Sequence, residues 1–578
     1  MAYQGIAAAS GYALGTALLL QEQEILVSKR TISSEGVDAE IERLEAALCQ
    51  ATREIKEIQE TTRQKLGEDK AAIFAAHIMV LNDPEYIGGI KEKIKVEAMN
   101  AEAAVQEVTE QFLNVFAGIE DEYIRERVAD LRDVSQRLLK RLLGVQSISL
   151  ADVAENVVLF AHDLTPSDTA QLDRNKVVGF VTNIGGRTSH SAIMARSLEI
   201  PAVVGLKDIT EKAAPGDFVI VDGYEGTVFV NPSDDLIEKY REKKVESEVR
   251  QREVKRLVNQ PSITQDGIQV ELSANIGNPE NAKGAIANGA EGVGLYRTEF
   301  LYMGRDELPS EVEQFESYKA VAMMFGTQRP VVIRTLDIGG DKELSYLDMP
   351  KEMNPFLGYR AIRLCLDRTE IFKTQLRAIL RASAYGNIKL MYPMIATMQE
   401  LRAANQMLEA VKQELASENI PFNAKMEVGI MVEIPAVAVL ADQFIKEVDF
   451  FSIGTNDLVQ YTMAADRMNE KVAYLYQPFN PAVLRLIQGV ITAAHKAGKW
   501  AGMCGEMAGD LVAIPILLGM GLDEFSMSAS SILPARSLLS QLTYKEAQRI
   551  VQAVLGMDNA EEIKNFVEQQ VPAIARLR

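Results

Sequence analysis

The stretch Gly185-Gly186-Arg187-Thr188-Ser189-His190-Ser191-Ala192-Ile193-Met194-Ala195-Arg196 places an imidazole behind a glycine turn. An apolar, strand-like run at 177–181 leads into it. Two glycines let the backbone turn tightly and come close to a ligand. Thr188 or Ser189 can cap a helix that starts at about His190. The unpaired N–H groups and positive dipole end of that helix disfavour imidazolium and favour a bound anion. A neutral imidazole beside an anion site is suited to accept a phosphoryl group. A structural histidine in a βα turn is the alternative that these residues leave open.

A second set of polar residues ends a series of apolar runs. Tyr296-Arg297-Thr298-Glu299 follows one, and Arg334-Thr335-Leu336-Asp337 another, with Arg360 in the next loop. Glu433, then Asn456-Asp457 with Asp466-Arg467, and then Cys504-Gly505-Glu506 end three more. Arginine offers a rigid fork for phosphate and carboxylate oxygens. Carboxylates beside such arginines suggest a hard cation shared with the ligand. Mg²⁺ takes one or two protein carboxylates plus ligand oxygens and water, which makes Glu433 and Asp457 the metal candidates. A buried ion-pair network is the competing reading. Cys504 is either a small core residue or a proton donor flanked by Gly502 and Gly505.

These residues need elements to position them. Residues 1–30 read as β. From about Ser34 the apolar period becomes helical, with Ile41, Leu44, Leu48, Ile55 and Ile58, then Val105, Val108, Phe112 and Val115, then Ile124, Val128, Leu131, Leu138 and Leu142. Asn82-Asp83-Pro84 breaks the run. Short strands resume at 157–160, 177–181, 202–204, 218–221 and 227–230. A small α/β domain is thus split by a helical insert at about 34–144. Residues 233–259 form a charged helix of the kind that bridges domains, ended by Pro261. Beyond it, strand–helix units repeat, with strands beginning at Val270, Gly292, Val331, Ile388, Val428, Val448, Trp500 and Glu524. Eight such units fit a (β/α)8 barrel, whose active sites lie at the C-terminal strand ends. Thr543 with Glu546 forms a capping box for a tail helix, and Asn559 with Glu562 marks another helix start.

Bulk composition bounds the function. At 578 residues with 47% apolar content the chain is an ordinary multidomain globular protein. A net charge of −20 argues against nucleic acid and anionic membranes as partners and leaves a basic protein partner plausible. Cys49, Cys365 and Cys504 lie far apart and suggest neither a zinc site nor a disulfide frame. No signal peptide and no run near the roughly 18 apolar residues of a membrane span is present, so a cytoplasmic enzyme is expected. Neither a Walker A nor a G-x-G-x-x-G pattern occurs. Cys49, Cys365, His77 and His495 read as helix residues with structural roles, and His162 carries no assignment.

On the His190 segment, on Asp457-Leu458-Val459-Gln460-Tyr461 and on 519–528, the chain resembles the enzyme I family of the bacterial phosphotransferase system over nearly its whole length. The resemblance implies a phosphohistidine α/β domain at 1–30 and 145–232 that swivels, a helical insert at 31–144 that binds the carrier HPr, a linker helix at 233–260 and a phosphoenolpyruvate-binding (β/α)8 barrel at 261–578. It implies that His190 carries the phosphoryl group from phosphoenolpyruvate to HPr and that Thr169 hydrogen-bonds the imidazole. Arg297, Arg334 and Arg467 would grip the donor, with Asn456 and Arg360 beside it. Glu433 and Asp457 would hold Mg²⁺, and Cys504 would protonate the enolate to give pyruvate. A homodimer through the barrel is implied in the same way. Two rivals remain. A pyruvate phosphate dikinase or phosphoenolpyruvate synthase would need a large ATP-binding domain, for which the insert of about 110 residues is too short. A non-catalytic phosphorelay protein would lack an arginine or carboxylate that this chain keeps.

Overall fold

The computed structural model describes residues 1–20, 27–66, 68–117, 122–144, 156–165, 168–169, 172–173, 176–186, 189–198, 200–340, 344, 346–347, 349–469 and 471–577, with His190 given by its backbone alone. Arg187 and Thr188 of the glycine turn lie outside the described residues, as do 145–155 of the expected α/β domain. The chain forms two compact units, 1–249 and 250–578.

The first unit is built on an eight-stranded sheet ordered β1-β8-β7-β3-β4-β5-β6-β2. Its strands are β1 (Ala2–Gln4), β2 (Ile6–Ala9), β3 (Tyr12–Leu19), β4 (Val157–Ala161), β5 (Val177–Thr182), β6 (Ala202–Val204), β7 (Phe218–Asp222) and β8 (Thr227–Val230). β3, β4, β5 and β6 run parallel, and the outer pairs are antiparallel. β4 is buried at every position because both faces of the sheet are covered. Strand alternation divides it: Val157, Leu159 and Ala161 join one core with Ala192 and Ala195, while Val158 and Phe160 join another with Ala13, Val181 and Val219.

Between β3 and β4 lie helices Val37–Leu66, Glu68–Leu81, Pro84–Val96, Ala101–Ala117 and Glu122–Leu143. Their own core contains Leu44, Tyr86, Ile90, Ile94, Val105, Val108, Leu131 and Leu138. The break read at Asn82-Asp83-Pro84 is a cap: Asp83 accepts from the N–H groups of Glu85 and Tyr86. His77 is packed, with Nε2 3.1 Å from Asp130 Oδ1 and its ring edge-on to Phe74. The charged helix is Asp234–Lys255. It is less uniformly polar than its composition suggests. Tyr240 is buried and donates to Asp222 Oδ2 at 2.9 Å, and Ser247 Oγ lies 3.1 Å from the Tyr224 hydroxyl. Its first turns are therefore fixed to the sheet.

The second unit is a closed, all-parallel barrel ordered β10-β11-β12-β13-β14-β15-β16-β9. Its strands are β9 (Glu271–Ile276), β10 (Gly292–Tyr296), β11 (Pro330–Arg334), β12 (Asn387–Tyr392), β13 (Val428–Val432), β14 (Phe450–Ile453), β15 (Trp500–Met503) and β16 (Glu524–Met527). All eight expected strand positions are occupied. Boundaries shift by two residues at most, the largest shift being at β14, where Val448 and Asp449 precede the ladder. The strands are short because a barrel wall needs only the length that the interior side chains fill. The Thr543–Glu546 capping box forms in full, and Asn559 caps Ala560–Gln570.

Candidate active site at the barrel mouth

Five of the barrel residues singled out above lie at the C-terminal ends of their strands, with Arg360 and Arg467 in the loops beyond. Arg297 follows β10, Arg334 ends β11, Glu433 follows β13, Asp457 opens the helix after β14, and Cys504 follows β15. Parallel strands leave these ends on one rim, which is why residues up to about 200 positions apart meet there.

The cationic side is anchored by Asp337, an acid whose role residue type and position in the chain do not reveal. Asp337 Oδ2 lies 2.8 Å from Arg334 Nη1, and its Oδ1 lies 2.9 Å from Arg360 Nη2. Glu299 Oε1 lies 2.6 Å from Arg334 Nη2. All four side chains are buried. Burial opposes the charge on Arg334, but Glu299, Asp337 and Glu433 outweigh it and hold its pKa above the ordinary guanidinium value. For Arg360 burial is again outweighed, by Asp337, Asp457 and Glu433. Both remain charged throughout the working pH range. Gln375 braces the same region: it accepts from Leu336 N at 2.8 Å and donates to Thr298 Oγ1 at 3.1 Å. Thr298 in turn donates to the Arg334 carbonyl.

Strain is held here too. Ala361, next to Arg360, has φ +53°, and Met394, whose N–H donates to Glu433 Oε1 at 2.5 Å, has φ +56°. Non-glycine residues rarely adopt this region, and each instance costs on the order of 1–3 kcal/mol. Gly339, at φ +111°, has no room for a side chain, since a Cβ there would lie 2.4 Å from Arg360 Cβ.

The anionic side is held more loosely. Asp457 Oδ1 lies 3.6 Å from Arg360 Nη1 and 3.7 Å from Arg467 Nη1, beyond hydrogen-bond length. Asp457 Oδ1, Glu433 Oε2 and Arg467 Nη1 are buried and have no hydrogen-bond partner among the described residues. Burial, then Asp457 and Asp337, push the Glu433 carboxyl up to about 8. Two carboxylate oxygens left without donors beside arginine N–H groups left without acceptors are what a cation and an anionic ligand would satisfy together. Among the described residues no group of three or more His, Cys, Asp or Glu gathers as a metal site, so ligand oxygens must complete any coordination.

The remaining predicted residues have distinct settings. Arg297 reaches solvent and has no ion pair among the described residues. Desolvation by the surrounding protein, then the like charge of Arg334, pull its pKa below the usual value. Asn456 Oδ1 accepts from Glu506 N at 3.2 Å. The Arg360 and Arg467 guanidinium groups share one aromatic neighbour: both lie over the Phe356 ring, at 5.8 and 5.7 Å from its centroid. Cys504 is 2% exposed, and burial raises its thiol to about 12. It is therefore a thiol at neutral pH, suited to give a proton rather than to act as a nucleophile.

His190 and Thr169 belong to the first unit. β5 runs into Gly185, at φ +115°, and the helix begins at His190. Ser189 is the cap: its Oγ accepts from Ala192 N at 3.3 Å and donates to the Gly186 carbonyl at 2.8 Å. The imidazole-bearing residue therefore occupies the first position of the helix, where backbone N–H groups are free for an anion. Thr169 is fully buried, and its hydroxyl donates to the Thr165 carbonyl at 3.1 Å. His162 is exposed with Nδ1 3.3 Å from Asn183 Nδ2.

Comparisons with known proteins agree with this division. Residues 4–127 match the family described as PEP-utilising enzyme, N-terminal, residues 153–226 its mobile domain, and residues 251–544 its PEP-binding domain. A phosphoenolpyruvate-protein phosphotransferase of Geobacillus stearothermophilus is 60% identical over 98% of this chain and 97% of its own length. Those of Bacillus subtilis (strain 168) and Staphylococcus aureus are 56% and 53% identical, each over 98% of this chain and 99% of its own. The chain belongs to the phosphoenolpyruvate-protein phosphotransferase family, the enzyme I family that its motifs resemble.

Proposed function

We propose that the chain transfers the phosphoryl group of phosphoenolpyruvate to His190 and then to a histidine of the carrier HPr, releasing pyruvate as the first step of the sugar phosphotransferase system. The observation that carries this reading is the barrel mouth, where buried arginines and two donor-free carboxylate oxygens wait for an anion and a cation. Phosphoryl transfer needs in-line positioning and charge compensation more than covalent help. Arg297, Arg334, Arg360 and Arg467 grip the phosphate and carboxylate of the donor, and Asn456 orients it. Glu433 and Asp457 would hold Mg²⁺, which would supply charge compensation for phosphoryl transfer. The neutral imidazole of His190 attacks phosphorus, and Thr169 fixes its orientation. Cys504 then protonates C3 of the enolate to give pyruvate.

The imidazole must visit both the barrel and the carrier, which docks on the helices of 31–144, so a swing of the first unit is part of each cycle. The protein works in the cytoplasm and pairs through its barrel. Incubation with Mg²⁺, radiolabelled phosphoenolpyruvate and HPr tests the reading. The wild type should carry an acid-labile, base-stable label, and His190→Ala should carry none while its barrel still binds donor. Label persisting on His190→Ala would overturn the assignment. Formation of phosphoenolpyruvate from ATP and pyruvate would favour a dikinase instead.

A further inference from the structure

Behind the arginines of the rim lies a buried amide with both of its ends bonded. Gln375 sits on the helix Thr369–Ala382, in the layer around the barrel, and is fully buried. Its Oε1 accepts from Leu336 N at 2.8 Å. Its Nε2 donates to Thr298 Oγ1 at 3.1 Å and to the Tyr318 hydroxyl at 3.3 Å. A backbone N–H can only donate, so Leu336 fixes which end of the amide is oxygen. Both amide hydrogens then point at hydroxyl oxygens. Thr298, receiving one of them, turns its own hydrogen to the Arg334 carbonyl at 3.1 Å. Tyr318, receiving the other, gives its hydrogen to Gln314 Oε1 at 3.1 Å. Gln314 Oε1 also accepts from the Tyr302 hydroxyl at 3.1 Å, and its Nε2 donates to the Pro309 carbonyl at 3.2 Å. Thr298, Tyr302, Gln314 and Tyr318 are buried as well, so the direction of each bond is set by the next, with Gln375 at the junction.

Two rim segments meet in this junction. Thr298 lies between Arg297 and Glu299, and Glu299 pairs with Arg334 at 2.6 Å. Leu336 precedes Asp337, which is divided between Arg334 and Arg360. Gln375 therefore bonds the loops after β10 and β11 from behind, while the ion pairs bond them from in front. The Arg297 side chain makes no ion pair among the described residues, so its reach is set by the backbone that carries it. That backbone is tied on one side by Arg297 N to the Ile276 carbonyl at 3.0 Å, and on the other by Thr298. Across the rim, Glu433, Asp457 and Arg467 keep buried atoms without partners. One side of the mouth is fixed in advance, and the other is left for the ligand to complete.

We propose that Gln375 is a positioning residue for donor binding: it fixes the separation of Arg297 and Arg334, so that both guanidinium groups close on the ligand together. The inference rests on phosphoenolpyruvate being held at this rim. Gln375→Glu keeps the acceptor for Leu336 N and removes both N–H donors. Thr298 is then free to turn its hydrogen to the carboxylate and release the Arg334 carbonyl. Gln375→Met keeps the length and removes both functions.

Phosphoenolpyruvate binding to the full chain is measured by calorimetry with Mg²⁺ in a His190→Ala background, where no phosphoryl transfer follows. Each Gln375 variant should weaken binding about tenfold, the value of one ordinary hydrogen bond. Coupling to Arg297 is the readout that packing alone would not move. Arg297→Ala should cost about tenfold less affinity in either Gln375 background than by itself, because a displaced guanidinium has less to lose. Arg467→Ala, across the rim, should combine with both variants additively, within about twofold. Wild-type affinity in both folded Gln375 variants overturns the positioning role. Additive effects with Arg297→Ala, or equal coupling to Arg467→Ala, overturn it too. If Gln375→Glu does not unfold cooperatively in denaturant, Gln375→Met decides alone. If neither variant folds, Thr298→Val, which removes the same link from its other end, decides. Unchanged affinity in Arg297→Ala by itself removes the grip of that arginine on the donor, and the proposal with it. Weak binding in Arg297→Ala beside normal Gln375 variants removes only the positioning role.

Discussion

Affinity of the barrel mouth for a divalent cation should rise steeply with pH. The Glu433 carboxyl is pushed up to about 8, by burial first and then by Asp457 and Asp337. Its free Oε2 can bind a cation only once the proton has left. At pH 6, well below that value, the carboxyl is mostly protonated, which weakens cation binding by on the order of a hundredfold. Mn²⁺ is the appropriate probe, since it takes the same oxygen donors and introduces no titrating ligand. Calorimetry in two buffers of different ionisation enthalpy should show close to one proton released per Mn²⁺ at pH 6 and almost none well above pH 8. Glu433→Gln should remove the proton release and weaken binding. Constant affinity from pH 6 to 8 with no proton release, in a protein that still binds Mn²⁺, would refute the reasoning. The same shift predicts the stability of the metal-free protein. Its folded pKa lies above the ordinary 4.5, so the folded state binds the extra proton. That contribution is complete below about pH 4.5 and is lost as pH rises through about 8.

Asp337→Asn removes the counter-charge shared by Arg334 and Arg360. Leaving buried arginines uncompensated should cost about 3–5 kcal/mol in denaturant unfolding and weaken donor binding. Cys504→Ser should slow pyruvate formation while donor affinity, measured by calorimetry, stays nearly unchanged. Turnover should fall in proportion to solvent viscosity, because the swing of the histidine-bearing unit limits it rather than the chemistry; insensitivity to added viscogen would count against this.

Much of the architecture follows from local sequence. The eight barrel strands are legible because each is a short apolar run ending in a polar residue, such as the run into Arg334 or the one into Glu433. Helix starts at Ser189, Thr543 and Asn559 are legible because a cap is a contact within three residues, whereas Asp83 reads only as a break and proves to be a cap. The inner side of Asp234–Lys255 was hidden, because Tyr240 finds Asp222 only after β7 and β8 have turned back beneath the helix. Asp337 and Glu299 stand in plain view in the chain, yet their roles depend on which arginine each faces across the rim. No spacing rule connects residue 337 to residue 360 through an irregular loop.

Residue types and order by themselves determined a barrel with arginines and acids at its strand ends, and a histidine at the first position of a helix. Both follow from interactions within a few residues of one another. Only the tertiary structure decided that Asp337 is divided between two arginines, that Glu433 and Asp457 keep oxygens without donors, and that Gln375 bonds the loops after β10 and β11 together. Those facts belong to the closure of the barrel. Closure sets distances between strands far apart in the chain, and burial then turns those distances into charge, strain and proton affinity.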